Sequence, residues 1–155
     1  MSPRRRLSRL GLATLGAALF SGAVGGGLAA QEIDPFYTAM LRDGTQALVR
    51  GEPERAVEDL RIACFGLLEQ PALLAECQVR VALAQAALAE RDEFVATFRK
   101  IEEIEERFQG YSNAKLTAEE RGAFETRALE WVSPQVLRAN PRFAALVEQK
   151  QAEEL

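Results

Sequence analysis

Residues 34–64 read DPFYTAMLRDGTQALVRGEPERAVEDLRIAC, and their punctuation decides the fold class. Asp34-Pro35 pairs a helix N-cap with a proline at the first helical position. The helix it predicts carries Phe36, Met40, Leu41, Ala47 and Leu48. Gly51-Glu52-Pro53 is a tight turn that opens a second helix, with Ala56, Val57, Leu60, Ala63, Cys64 and Leu67 on one stripe. Two helices joined by so short a turn must lie antiparallel.

The same grammar continues outward. Gln70-Pro71 predicts a third helix through Leu73, Leu74, Cys77, Val81, Ala84 and Leu88. Arg91-Asp92 opens a fourth, with Phe94, Phe98, Ile101 and Phe108 spaced for one face and Gly110 as its C-terminal cap. After an irregular piece from Tyr111 to Leu116, Thr117-Ala118-Glu119-Glu120 has the spacing of a capping box. The helix behind it carries Phe124, Ala128 and Trp131. Ser133-Pro134 and Asn140-Pro141 start a helical turn and a final helix with Phe143, Leu146 and Val147. No alternating apolar run supports a strand. The expectation is one all-α domain over residues 31–148, antiparallel helix-turn-helix units closed by C-terminal helices, with a frayed polar tail at 149–155.

Residues 1–30 read as a secretory signal peptide. Arg4, Arg5, Arg6 and Arg9 precede an uncharged run from Leu10 to Val24, and Gly27-Leu28-Ala29 or Leu28-Ala29-Ala30 offers a cleavage triplet. The alternative is a retained anchor, but the run is about 15 residues against the ~20 that span a bilayer. No cysteine near the cleavage region supports lipoprotein processing. Arg4-Arg5-Arg6-Leu7 has the arginine pair of the twin-arginine route, but Ser8 and Arg9 fit that pattern poorly, so the route stays open. Arg-rich, Lys-poor usage suggests a bacterium, so the expected location is the periplasm, with no stable membrane insertion after cleavage. Cleavage removes four arginines and no acid, taking the formal net charge from −4 to −8. An acidic domain argues against nucleic acid and anionic lipid as partners.

A weak internal repeat at an offset of forty residues sets Gly44, Ala47, Gly51, Ala56, Leu60 and Ala63 against Ala84, Ala87, Arg91, Ala96, Lys100 and Glu103. Gly44, Gly51, Ala56, Leu60 and Ala63 resemble a tetratricopeptide repeat. A small residue sits midway along the first helix, a glycine in the turn, and small–large–small residues run down the second. Leu83 to Leu88 resemble the end of a first helix in a later repeat. The resemblance covers about residues 36–108. It lacks the family's usual early aromatic, and its period of forty exceeds the family's ~34. It implies a right-handed array of about two repeats that binds a peptide or partner helix on its concave face. In that register the face is lined by Thr38, Leu41, Thr45 and Leu48, and by Gln78, Val81, Gln85 and Leu88. Core packing against the C-terminal helices is the other reading of its leucines and valine. Arg42 and Arg80 flank the strip, available to an acidic group or simply solvated.

Cys64 and Cys77 each lie about six residues from the turn at Gln70-Pro71, so an antiparallel hairpin sets them level. In an oxidising compartment a disulfide is expected; two buried thiols are the alternative. There is no histidine, no phosphate-cradling glycine loop in the mature chain and no metal-ligand cluster, so neither a cofactor nor an enzyme is expected. The run Glu102-Glu103-Ile104-Glu105-Glu106 reads as a solvated helix face. The expected function is therefore a periplasmic scaffold or adaptor. The alternative is a carrier of small apolar ligands, with a pocket between the helix pairs and the Trp131 helix. A weaker third reading is an envelope hydrolase working through carboxylates.

Overall fold

The computed structural model describes residues 32–153. The signal-peptide reading of residues 1–30 lies outside them. Eight helices follow in order: α1 Pro35–Val49, α2 Pro53–Phe65, α3 Pro71–Ala87, α4 Arg91–Phe108, α5 Gly110–Asn113, α6 Ala118–Trp131, α7 Pro134–Leu137 and α8 Pro141–Glu153. The described residues contain no strand, and neighbouring helices pack in pairs, in agreement with the all-α expectation.

The starts are chemically specified. Pro35, Pro53, Pro71, Pro134 and Pro141 each occupy a first helical position, where the missing N–H is harmless. The Asp34 carboxylate accepts from the Phe36 N–H at 2.8 Å. The capping box of α6 is complete: Glu120 N–H donates to Thr117 Oγ1 at 3.0 Å, and Thr117 N–H to Glu120 Oε2 at 2.9 Å.

The α4 end differs from expectation. Gln109, not Gly110, takes the left-handed cap conformation, with φ 53°. Gly110 is instead a packing residue: a Cβ there would meet Ile104 Cγ2 at 2.4 Å and the Pro71 carbonyl oxygen at 2.7 Å. Phe94, Phe98 and Ile101 are buried, but Phe108, one turn past the core, is 59% exposed. The helical backbone of α8 continues to Glu153, into the stretch read as a polar tail.

α1 packs along α2, α2 against α3, and α3 against α4. Gly44 permits the first contact, since a Cβ would stand 2.7 Å from Leu60 Cγ. Cys64 and Cys77 form a disulfide between α2 and α3, with Cα atoms 5.7 Å apart. α6 lies on both α3 and α4, and α8 lies on α6. An aromatic core fills this end. Phe98 and Phe143 stand 4.9 Å apart, Tyr111 and Phe143 5.2 Å, and Tyr111 and Phe124 5.6 Å between ring centroids.

The two helix pairs repeat at 38 residues, not forty. Glu52 N–H bonds to Ala47 O and Gly51 N–H to Leu48 O; Glu90 N–H bonds to Gln85 O and Ala89 N–H to Ala86 O. Gly51 and Ala89, 38 apart, both have positive φ. In this register Ala56, Leu60 and Ala63 correspond to Phe94, Phe98 and Ile101, all fully buried. Ala96, Lys100 and Glu103, which the offset of forty selected, include no such residue. The offset of forty set Gly51 against Arg91, whereas the residue that turns the chain as Gly51 does is Ala89.

Candidate functional site

A two-residue register shift turns a helical position by about 200°. The α3 quartet therefore does not continue the α1 quartet. The structural partners of Thr38, Leu41, Thr45 and Leu48 are Glu76, Val79, Leu83 and Ala86, and the first of these faces the chain between α5 and α6. There the Glu76 carboxylate accepts from the Lys115 N–H at 2.7 Å, and Arg80 Nε donates to Glu120 Oε1 at 2.8 Å. Arg80 is thus neither solvated nor open to a partner; it ties α3 to α6, with Glu76 as a second neighbour at 3.7 Å. Arg42 is exposed and pairs with adjacent Asp43. On α1, Thr38 is exposed and Leu41, Thr45 and Leu48 are half-buried, the Thr45 hydroxyl donating to Leu41 O at 2.6 Å.

Gln78, Val81 and Leu88 instead line a groove between α2 and α4, to which α1 contributes no residue. One part encloses about 500 Å³ among Cys64, Phe65, Leu68, Gln78, Val81, Thr97 and Lys100. A neighbouring part of about 330 Å³ is lined by Glu54, Val57, Leu88 and Glu90. Arg61 and Glu93 belong to both and face each other across the groove, 3.2 Å apart. Phe65 and Leu68 are 70% and 61% exposed at the mouth, while Val81 is buried. Outside the lining, Tyr37 of α1 lies beside Phe65, its ring 6.4 Å from that of Phe65 and 5.3 Å from that of Phe36. Gly66 makes room for it; a Cβ there would overlap the Tyr37 ring at 2.0 Å.

Gln85 is 1% exposed and its carboxamide has no hydrogen-bond partner among the described residues. It occupies the position that Ala47 fills in the first pair, where the chain expects a small apolar group facing the next helix. It belongs to the interior rather than to a binding strip.

The acidic run is not uniformly solvated. Glu105 is buried and accepts from the backbone N–H of Ser112 at 2.9 Å and from its hydroxyl. Burial, and then the neighbouring Glu106 charge, raise the Glu102 carboxyl above the usual range, with Arg99 opposing. Burial also pushes Glu120 upward, but the Arg80 bond, the Thr117 bonds and the Arg80 charge outweigh it, leaving the carboxyl below its ordinary value. Tyr111 Oη donates to Glu125 Oε1 at 2.8 Å, and Arg142 reaches the same oxygen at 2.9 Å. Burial first, and then the Glu125 charge and bond, raise the Tyr111 hydroxyl. Glu105, Glu120 and Glu125 staple helices; their partners lie within the fold.

A second cleft, of about 540 Å³, lies between α4 and the α6–α7 junction, with Val95, Leu129, Trp131 and Val136 among its lining. Trp131 stacks edge-on to Phe94 at 5.3 Å and lies 4.6 Å beneath the Arg127 guanidinium. No family model matches the chain, and no curated protein and no solved structure matches it either.

Proposed function

We propose that the chain is an exported, non-enzymatic interaction module of tetratricopeptide-like build. Its partner is a peptide or helix of a cell-envelope protein, held along the α2–α3–α4 groove. The carrying observation is the mouth of that groove, where Phe65 and Leu68 are exposed above buried Val81. Large apolar side chains set over an open cleft are the arrangement by which helical modules seat apolar anchors. The α1 strip of Thr38, Leu41, Thr45 and Leu48 is the other candidate surface, but in its counterpart on α3 Glu76 is already bonded to the Lys115 backbone between α5 and α6. The Cys64–Cys77 disulfide supports an oxidising compartment, hence export.

The test is capture from the native cell envelope by mature protein and by Phe65→Ser/Leu68→Ser. The double variant keeps the helical circular dichroism and loses the partner. Undiminished capture by the folded variant removes the groove from the proposal.

The second reading is a carrier for small apolar ligands in the Trp131 cleft, where Val95, Leu129, Trp131 and Val136 form the apolar part of a lining that also holds Arg91, Asp92, Arg99 and Glu130. It expects a shift in Trp131 fluorescence on adding fatty acids, and a flat titration rejects it.

A further inference from the structure

Resting on that groove reading, we propose a polarity for the occupant: an amphipathic segment with an apolar anchor at one end and basic side chains about 10 Å away. The groove is not uniform along its length. Its first part is flanked by Phe65 and Leu68 and carries Lys100. Its second part gathers Glu54, Glu90 and Glu93 around Leu88. The one cation lining that second part is Arg61, which is bridged to Glu93. Both members of this pair are more than half exposed, so it is weak and readily exchanged for a partner's charge. Glu54 and Glu90 enter no ion pair among the described residues, so that end presents uncompensated negative charge.

The spacing follows from α3, which lines the first part with Gln78 and Val81, and from its C-cap residue Leu88, which lines the second. Val81 and Leu88 lie seven residues apart, two turns on one stripe, or about 10 Å of rise. A helical partner meets both ends with an apolar residue and a basic residue seven positions apart. An extended partner does so in about three residues. A segment in the reverse orientation places its cation at Lys100 and its apolar anchor among carboxylates, and like-charge apposition and desolvation disfavour it. The charge term predicts a faster, salt-sensitive association, since these groups are at the surface.

The probes are two fluorescein-labelled synthetic helical peptides. Both carry leucines on adjacent turns of one face; two turns on, one has a lysine pair and its twin a glutamate pair. Anisotropy titration should show the lysine peptide binding about tenfold more tightly, with the preference shrinking as salt rises. The variant Glu54→Lys/Glu90→Lys should reverse the order. Equal affinities, or no saturable binding of either peptide, overturn the polarity. Envelope capture separates the two ideas. A partner lost from Phe65→Ser/Leu68→Ser but fully retained by Glu54→Lys/Glu90→Lys leaves the groove reading standing and removes the polarity. Retention by both variants removes both.

Discussion

At the scale of single residues, this chain uses its carboxylates to join helices. Glu120 caps α6, closes the Thr117 capping box and holds Arg80 of α3 at 2.8 Å. The capping role was legible from Thr117 and Glu120 alone, because its partners are three residues apart. The Arg80 bond was not, because its partners are forty residues apart in the chain. Since the folded carboxyl is held below its unfolded value, it contributes stability that is fully present above about pH 4.3. That contribution is lost as pH falls through the folded value. Urea unfolding across about pH 2–6 should therefore show a smaller acid-induced loss for Glu120→Gln than for the native chain. Identical acid slopes would assign the acid sensitivity elsewhere. Glu105 teaches the converse lesson: a glutamate within an acidic run reads as solvent-facing until Ser112 of the next turn folds back onto it.

Among the elements, boundaries were the most readable feature. Proline at the first position and a capping side chain before it act over a few residues, so the sequence carries them locally. Glycine is less readable, because a short side chain has several uses. Gly110 looks like a helix stop but is a point of close approach to the Pro71 carbonyl. Gly122, inside α6, has open space where a Cβ would stand, with nothing within 4 Å. Gly110→Ala should destabilise the fold by about 1–3 kcal/mol through overpacking. Gly122→Ala should stabilise it by about 0.5–1 kcal/mol, the helix-propensity difference. Urea midpoints measured on both variants decide this; a neutral Gly110→Ala would deny the close contact. The period of the repeat belongs to this scale too. Two residues of error moved Gln78, Val81 and Leu88 from the supposed concave face to the α2–α4 groove.

For the whole molecule, closure comes from two different devices. The disulfide fastens α2 to α3, and the aromatic cluster of Phe94, Phe98, Tyr111, Phe124 and Phe143 seats α6 and α8. A two-pair array has few neighbours on which to bury its faces, so both devices matter. Cys64→Ala/Cys77→Ala should lower the unfolding free energy by about 3 kcal/mol, the chain-entropy value for so short a loop. Denaturant titration of the oxidised native chain beside the variant measures it. An unchanged midpoint would mean that α2–α3 packing alone holds the hairpin.

The sequence by itself determined the all-α class, the helix starts, the antiparallel pairing and the cysteine bridge. Each follows from chemistry acting within one helix or across one short turn. Tertiary structure alone decided which side of α3 lines the α2–α4 groove, which glutamates are inside, and that Arg80 is held by α6. Those outcomes depend on helix rotation and on contacts between residues far apart in the chain. A rotation of two residues costs nothing in local propensity, so only the packing of the neighbouring helices can select it.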